Sequence, residues 1–158
     1  MNQENEKNCF DNRMDKQENF IEGRAYKQWV KFHIKAVNEE LTIQNATLSW
    51  GKFYNPDNQN HEISPSKVNE TKISKHEIAI IASSGRKDSP SGTQGSFDIC
   101  DKNKKTLFTI YWDCPWGGLN SFSYIKHNEK FIMEKLPTQI NERGDIGNVN
   151  LNVAKIWL

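Results

Sequence analysis

Hydrophobic and polar residues alternate with a period of two along much of the chain after Tyr26. In residues 29–37, Val30, Phe32, Ile34 and Ala36 share one face, and Trp29, Lys31, His33 and Lys35 share the other. That is the pattern of a half-buried strand. Residues 41–50 begin with Leu41 and Ile43 on one parity and continue with Ala46, Leu48 and Trp50 on the other. A slip of one residue predicts a β-bulge near Asn45. Further strands are predicted at 73–82, 96–100, 105–113, 121–126, 130–135 and 148–157, divided by turn formers such as Asp88-Ser89-Pro90-Ser91-Gly92 and Asp101-Lys102-Asn103. Residues 55–72 are polar, contain Pro56 and Pro65, and read as a long loop with little structure of its own. There is no internal repeat and no convincing amphipathic helix. Short strands at regular spacing therefore predict an all-β fold, an antiparallel sandwich or barrel.

The pattern fails before Ala25. Residues 1–24 are rich in Asn, Gln, Glu and Lys, with Phe10, Met14, Phe20 and Ile21 as sparse apolar positions. Four basic and six acidic residues give this stretch a net charge of −2, against +3 for the remainder (17 basic, 14 acidic). It reads as a polar flexible N-terminal tail or a marginal helix, 1–24, ahead of a single domain, 25–158. Its last residues, Ile21-Glu22-Gly23-Arg24, match a protease site used to remove fusion tags. A fusion scar and a native trypsin-accessible linker both fit.

Composition narrows the function. Lys+Arg 21 against Asp+Glu 20 lacks the basic excess of a general nucleic-acid binder. Cys9, Cys100 and Cys114 are too few and too unevenly spaced for a disulfide framework or a zinc site. No stretch has the apolar length of a signal peptide or a transmembrane helix. The expectation is a soluble protein, released or secreted without a leader, that acts at target-cell membranes. The scattered histidines lack metal-ligand spacing, and no G-x-S-x-G, H-E-x-x-H or P-loop pattern occurs. No catalysis, cofactor or metal is expected. Arg143-Gly144-Asp145 and the sequons at Asn45 and Asn69 are short patterns that chance produces often.

Four stretches resemble the aegerolysin family. They are Ala25-Tyr26-Lys27-Gln28-Trp29-Val30; Ser49-Trp50-Gly51-Lys52; Ser84-Gly85-Arg86-Lys87-Asp88 leading to Gly92-Thr93-Gln94-Gly95-Ser96-Phe97-Asp98; and Tyr111-Trp112-Asp113-Cys114-Pro115-Trp116-Gly117. The last is the most specific, because rare residue types crowd into one short run. The resemblance spans residues 25–157. It implies a small, leaderless, actinoporin-like β-sandwich that recognises membrane sphingolipids or related headgroups. Several members of that family form pores only with a larger partner protein, and some bacterial members belong to insecticidal toxin sets.

Against that background the residues acquire candidate roles in lipid and membrane binding. Tyr111, Trp112 and Trp116 crowd the end of a strand and the turn Pro115-Trp116-Gly117-Gly118 that follows it, where indole and phenol rings suit a membrane headgroup region; packing in the core is the other reading of these rings. Leu119 and Phe122 would extend the patch, and Trp29 and Trp50 join the candidate lipid contacts. Two or three half-buried rings contribute roughly 4–9 kcal/mol before the cost of immobilisation. That adsorbs a protein without selecting a lipid, so a polar headgroup pocket is also required. The loop 83–95 is the candidate pocket: Gly85, Gly92 and Gly95 would let backbone approach a ligand, Arg86 would fork onto a phosphate, and Asp88 would take an ammonium. Alternatively, Arg86 and Asp88 pair with each other. Sphingolipid-binding fungal relatives can carry a glutamate where this chain has Ser91.

The resulting expectation is a membrane-lipid-binding component of a cytolytic or insecticidal pore-forming toxin system, acting with a larger partner. A carbohydrate- or protein-binding β-sandwich module and a structural helper of a larger toxin are the alternatives.

Overall fold

In the strand β1 (Trp29–Ala36), every second residue is shut away from solvent: Val30, Phe32, Ile34 and Ala36 are fully buried. This computed structural model describes residues 26–156; the tail proposed for 1–24 lies outside them. Among the described residues β1 is followed by β2 (Leu41–Trp50), β3 (Lys52–Asn55), β4 (Asn58–Ile63), a single helical turn α1 (Pro65–Val68), β5 (Lys72–Ile73), β6 (Ile78–Ser84), β7 (Thr93–Asp101), β8 (Thr106–Cys114), β9 (Ser121–Lys126), β10 (Phe131–Leu136) and β11 (Gly147–Lys155). A six-stranded sheet in the order β10-β11-β1-β6-β3-β4 faces a five-stranded sheet in the order β5-β2-β7-β8-β9. The fold is the expected sandwich. All pairings are antiparallel except β1 with β11, which run parallel from Val30↔Gly147 to Ala36↔Val153.

The bulge expected near Asn45 is present. Pairing of β2 with β7 slips between Gln44 and Thr47, and Asn45 takes φ 57°, a left-handed conformation that asparagine tolerates. The backbone freed by the slip finds a partner: Ala46 N–H donates to Asn69 Oδ1 at 2.9 Å. Asn69 caps the C-terminal end of α1, so the helical turn serves the bulge.

Residues 55–72 correct the sequence reading, since they hold β4, α1 and the first residue of β5 rather than an unstructured loop. The strand β4 was illegible because it is an edge strand, wet on both faces, and shows no apolar alternation. Ser64 caps the turn that follows, accepting from Lys67 N–H at 3.1 Å with Pro65 in the first turn. The strand predicted at 73–82 divides at a turn where His76 has φ 74°.

Trp112 lies at the middle of the core, 2 % exposed, with ring centroids of Phe32, Phe97 and Phe53 at 5.4, 5.8 and 6.0 Å. A buried indole must satisfy its N–H. Nε1 donates to Thr93 Oγ1 at 3.1 Å, the Thr93 and Ser83 hydroxyls bond each other, and Ser83 Oγ donates to the Lys52 carbonyl at 2.8 Å. Each hydroxyl can then donate once and accept once, so the relay is closed. Trp112→Ala is expected to lower unfolding free energy by about 3–5 kcal/mol. Removing only the N–H with Trp112→Phe should cost about 1–2 kcal/mol, and Tyr111→Ala, on the outer face, within about 0.5 kcal/mol. Urea denaturation of the three variants measures the series; equal losses at 111 and 112 would contradict it.

Candidate functional site

The strand directions bring six connections to one end of the sandwich: the approach to β1, the β2–β3 turn, the β4–α1 junction, and the β6–β7, β8–β9 and β10–β11 loops. Segments of all four family-like stretches meet there. Residues 85–92 rise between Ser84 of β6 and Thr93 of β7, beside the turn that carries Trp50. Between that turn, the start of α1 and the 85–92 loop lies an open groove of about 770 Å³. Trp50, 45 % exposed, is one wall, and Arg86 and Glu62 form another as an ion pair. Leu48, Ile63 and Pro65 add apolar surface, and Ser49, Ser64, Ser89 and Ser91 add hydroxyls. The groove therefore offers an indole face, one positive and one negative group, and short hydroxyls within a small-molecule-sized space.

The ion pair corrects the expectation that Arg86 would pair with Asp88 if it paired at all. Its partner is Glu62, from the segment read as loop; Asp88 is exposed in the same connection and is not part of the groove wall. Both partners are about half exposed, and such pairs contribute at most about 1 kcal/mol. The guanidinium can thus exchange Glu62 for a ligand anion at little cost.

The glycines of this loop serve the protein itself. A Cβ on Gly92 would lie 1.7 Å from the Cys114 carbonyl oxygen, and one on Gly95 would lie 2.3 Å from that of Thr47 and 2.9 Å from the Trp112 ring. Gly85 N–H donates to the Gln28 carbonyl at 3.0 Å. Close backbone approach is real here, but the neighbour is the facing strand rather than a ligand.

The aromatic residues expected together at a membrane tip separate into three environments. Trp112 is core, so its assignment to lipid contact is wrong. Successive strand residues point to opposite faces, which puts Tyr111, 40 % exposed, on the outer face of the five-stranded sheet. Trp116 follows the strand and is half-buried beside a recess of about 360 Å³ that also meets Lys27, Arg143 and Asp145. Leu119 projects from the same loop, 61 % exposed. Phe122 does not extend this patch, because it packs inward with its ring 6.1 Å from Phe32. Trp29 lies half-buried on the outer face of the other sheet, with Lys31 Nζ 5.7 Å from its ring. Of the residues named from sequence, the groove unites Trp50 and Arg86.

A family profile described as Aegerolysin matches residues 27–156, which contain the whole groove. The chain belongs to the aegerolysin family. Asp-hemolysin of Aspergillus fumigatus is 37% identical over 135 residues, spanning 84% of this chain and 96% of that protein. Aegerolysin Aa-Pri1 of Cyclocybe aegerita is also 37% identical, over 136 residues, 84% of this chain and 93% of that protein. Among solved structures, IP-1A from Alcaligenes faecalis superposes with a TM-score of 0.78 at 38% identity, covering 85% of this chain and 96% of that one.

Beneath this aegerolysin's loop end, Cys114 S–H donates to the Gly144 carbonyl at 3.2 Å, tying the end of β8 to the loop before β11. Burial pushes the Cys114 thiol up to about 12 and that of Cys100 up to about 11. Both therefore stay protonated and shielded at neutral pH. A maleimide should label neither until denaturant is added, as read by mass spectrometry. Prompt labelling of Cys114 in the native protein would mean that the loop end opens.

Proposed function

We propose that this aegerolysin docks its loop end on a membrane and takes a phospho-ammonium lipid headgroup, that of a sphingolipid or a close analogue, in the groove between Trp50 and Arg86. The observation that carries the reading is the convergence of an exposed indole and a loosely held Arg86–Glu62 pair in one groove. The guanidinium fork suits a phosphate, and Glu62, released by it, suits the ammonium that sequence reasoning gave to Asp88. Trp50, Trp116 and Leu119 supply interfacial anchoring; covering the exposed half of one indole contributes about 2–3 kcal/mol. The name of the Aspergillus relative, a hemolysin, fits a membrane target.

This reading is of a binding protein rather than an enzyme. The groove's serines have no histidine beside them to act as a base. It also includes a larger partner that builds any pore. The described strands are all paired within two sheets around one core, and turning them into a transmembrane wall would dismantle that core.

Co-sedimentation with phosphatidylcholine vesicles, with and without ceramide phosphoethanolamine or sphingomyelin, tests the proposal. Trp50→Ala and Arg86→Ala should each weaken binding by roughly tenfold, about 1.4 kcal/mol, without shifting the unfolding temperature. Arg86→Ala should leave adsorption to octyl-coated beads unchanged; equal loss on beads and vesicles would refute the phosphate contact. Dye release by the purified chain alone should be weak, and efficient release would remove the need for a partner.

A further inference from the structure

A second concavity opens on the outer face of the five-stranded sheet, across β2 from the groove. It is a bowl of about 310 Å³ set over four adjacent strands. Thr47 and Ser49 come from β2, Ser96 from β7 and Ser121 from β9, so its walls are short and hydroxyl-bearing. Tyr111 and Asp113 of β8 complete it, with Tyr111 standing at its side as an exposed aromatic ring. The pairings Gln94↔Asp113, Ser96↔Tyr111 and Asp113↔Ser121 place these side chains on one face as direct neighbours.

We propose that this bowl is a binding site for a neutral saccharide, with Tyr111 stacking on the sugar ring and Asp113 accepting from its hydroxyls. The first support is the state of Asp113. Its Oδ1 is buried out of a ligand's reach, and among the described residues the only donor to its Oδ2, the Gln94 amide, stands at a long 3.4 Å, so Oδ2 has room to accept from a ligand. A carboxylate so short of donors is costly unless something supplies them. Burial also raises its pKa from the ordinary aspartate value.

The second support is the donor and acceptor balance. No Lys, Arg or His lines the bowl, so a phosphate or sulfate would meet Asp113 with nothing to offset the repulsion. An ammonium would satisfy the carboxylate but offers no acceptor to the surrounding hydroxyls. A sugar hydroxyl both donates and accepts, as do the serine, threonine and tyrosine hydroxyls around it. The volume lies at the lower end for small-molecule sites. This inference does not depend on the lipid reading, because none of its donors belongs to the Arg86–Glu62 pair.

The test is an amide-resolved NMR titration of the full chain with the methyl glycosides of glucose, galactose, mannose and N-acetylglucosamine. At least one glycoside is expected to shift the amides of residues 94–96 and 111–113. Tyr111→Ala, which removes an exposed ring, and the near-isosteric Asp113→Asn should each weaken that binding by roughly tenfold, while Arg86→Ala should not change it. The spectra of the variants report directly that they are folded. No shift with any of the glycosides, or shifts that persist unchanged in both variants, would overturn the proposal. Phosphatidylcholine vesicles with and without a glycosylceramide identify the source. Retention only on the glycolipid vesicles, competed by the free glycoside, points to a membrane glycolipid. Glycoside binding with equal retention on both vesicles points to a soluble or protein-borne glycan.

Discussion

Trp112 can occupy the middle of the sandwich because its indole N–H has a place to go. An unmet donor there would cost about as much as the ring's packing against one neighbour contributes. The acceptor, Thr93 Oγ1, opens β7; Ser83, whose hydroxyl accepts the hydrogen bond that Thr93 donates, lies near the end of β6; and the last acceptor is the carbonyl of Lys52, the first residue of β3. These three residues are the roots of the β2–β3 turn and the β6–β7 loop, the two connections that carry Trp50 and Arg86. The core therefore does more than exclude water: this buried chain of hydrogen bonds sets where the groove walls start. Gly92 and Gly95 belong to the same arrangement, since a methyl group at either would strike the facing strand or the indole itself.

This arrangement divides the tryptophans by task. Trp112 is fixed by rings on several sides and by a hydrogen bond, and it gives the scaffold rigidity. Trp50 has almost half its surface free and a soft ion pair as neighbour, and it leaves an indole face open in the groove. The N-terminal family-like stretch works on the scaffold side too: Lys52 Nζ lies 4.8 Å from the Tyr26 ring, and Tyr26 O–H donates to Asn60 at 2.8 Å, clamping the start of the domain onto the β3–β4 hairpin.

The strands with one wet and one dry face were legible in the sequence, because alternation is what such a strand imposes on its residues. β1 and β9 were placed to within a residue, and the bulge in β2 announced itself as a change of parity. Strand β4 left no such trace, and with it Glu62, the partner of Arg86, went unnoticed; the Ser64-Pro65 helix start was the signal available nearby. The aromatic run at 111–116 was recognised as distinctive but read as a cluster. Strand geometry sends Tyr111 and Trp112 to opposite faces, and that rule, applied to this run as it was to β1, would have separated them. The groove itself was out of reach, because it joins positions far apart in the chain.

The parallel pairing of β1 with β11 has a consequence for how the molecule can be attached to anything else. Because the two strands run side by side in the same direction, the chain enters the domain beside the loop end that carries the groove and leaves it at the opposite pole. At about 3.3 Å per residue, the nine residues of β11 separate the poles by roughly 30 Å. A ligand held in the groove would therefore lie close to the point where β1 begins and a full strand length away from the point where β11 ends.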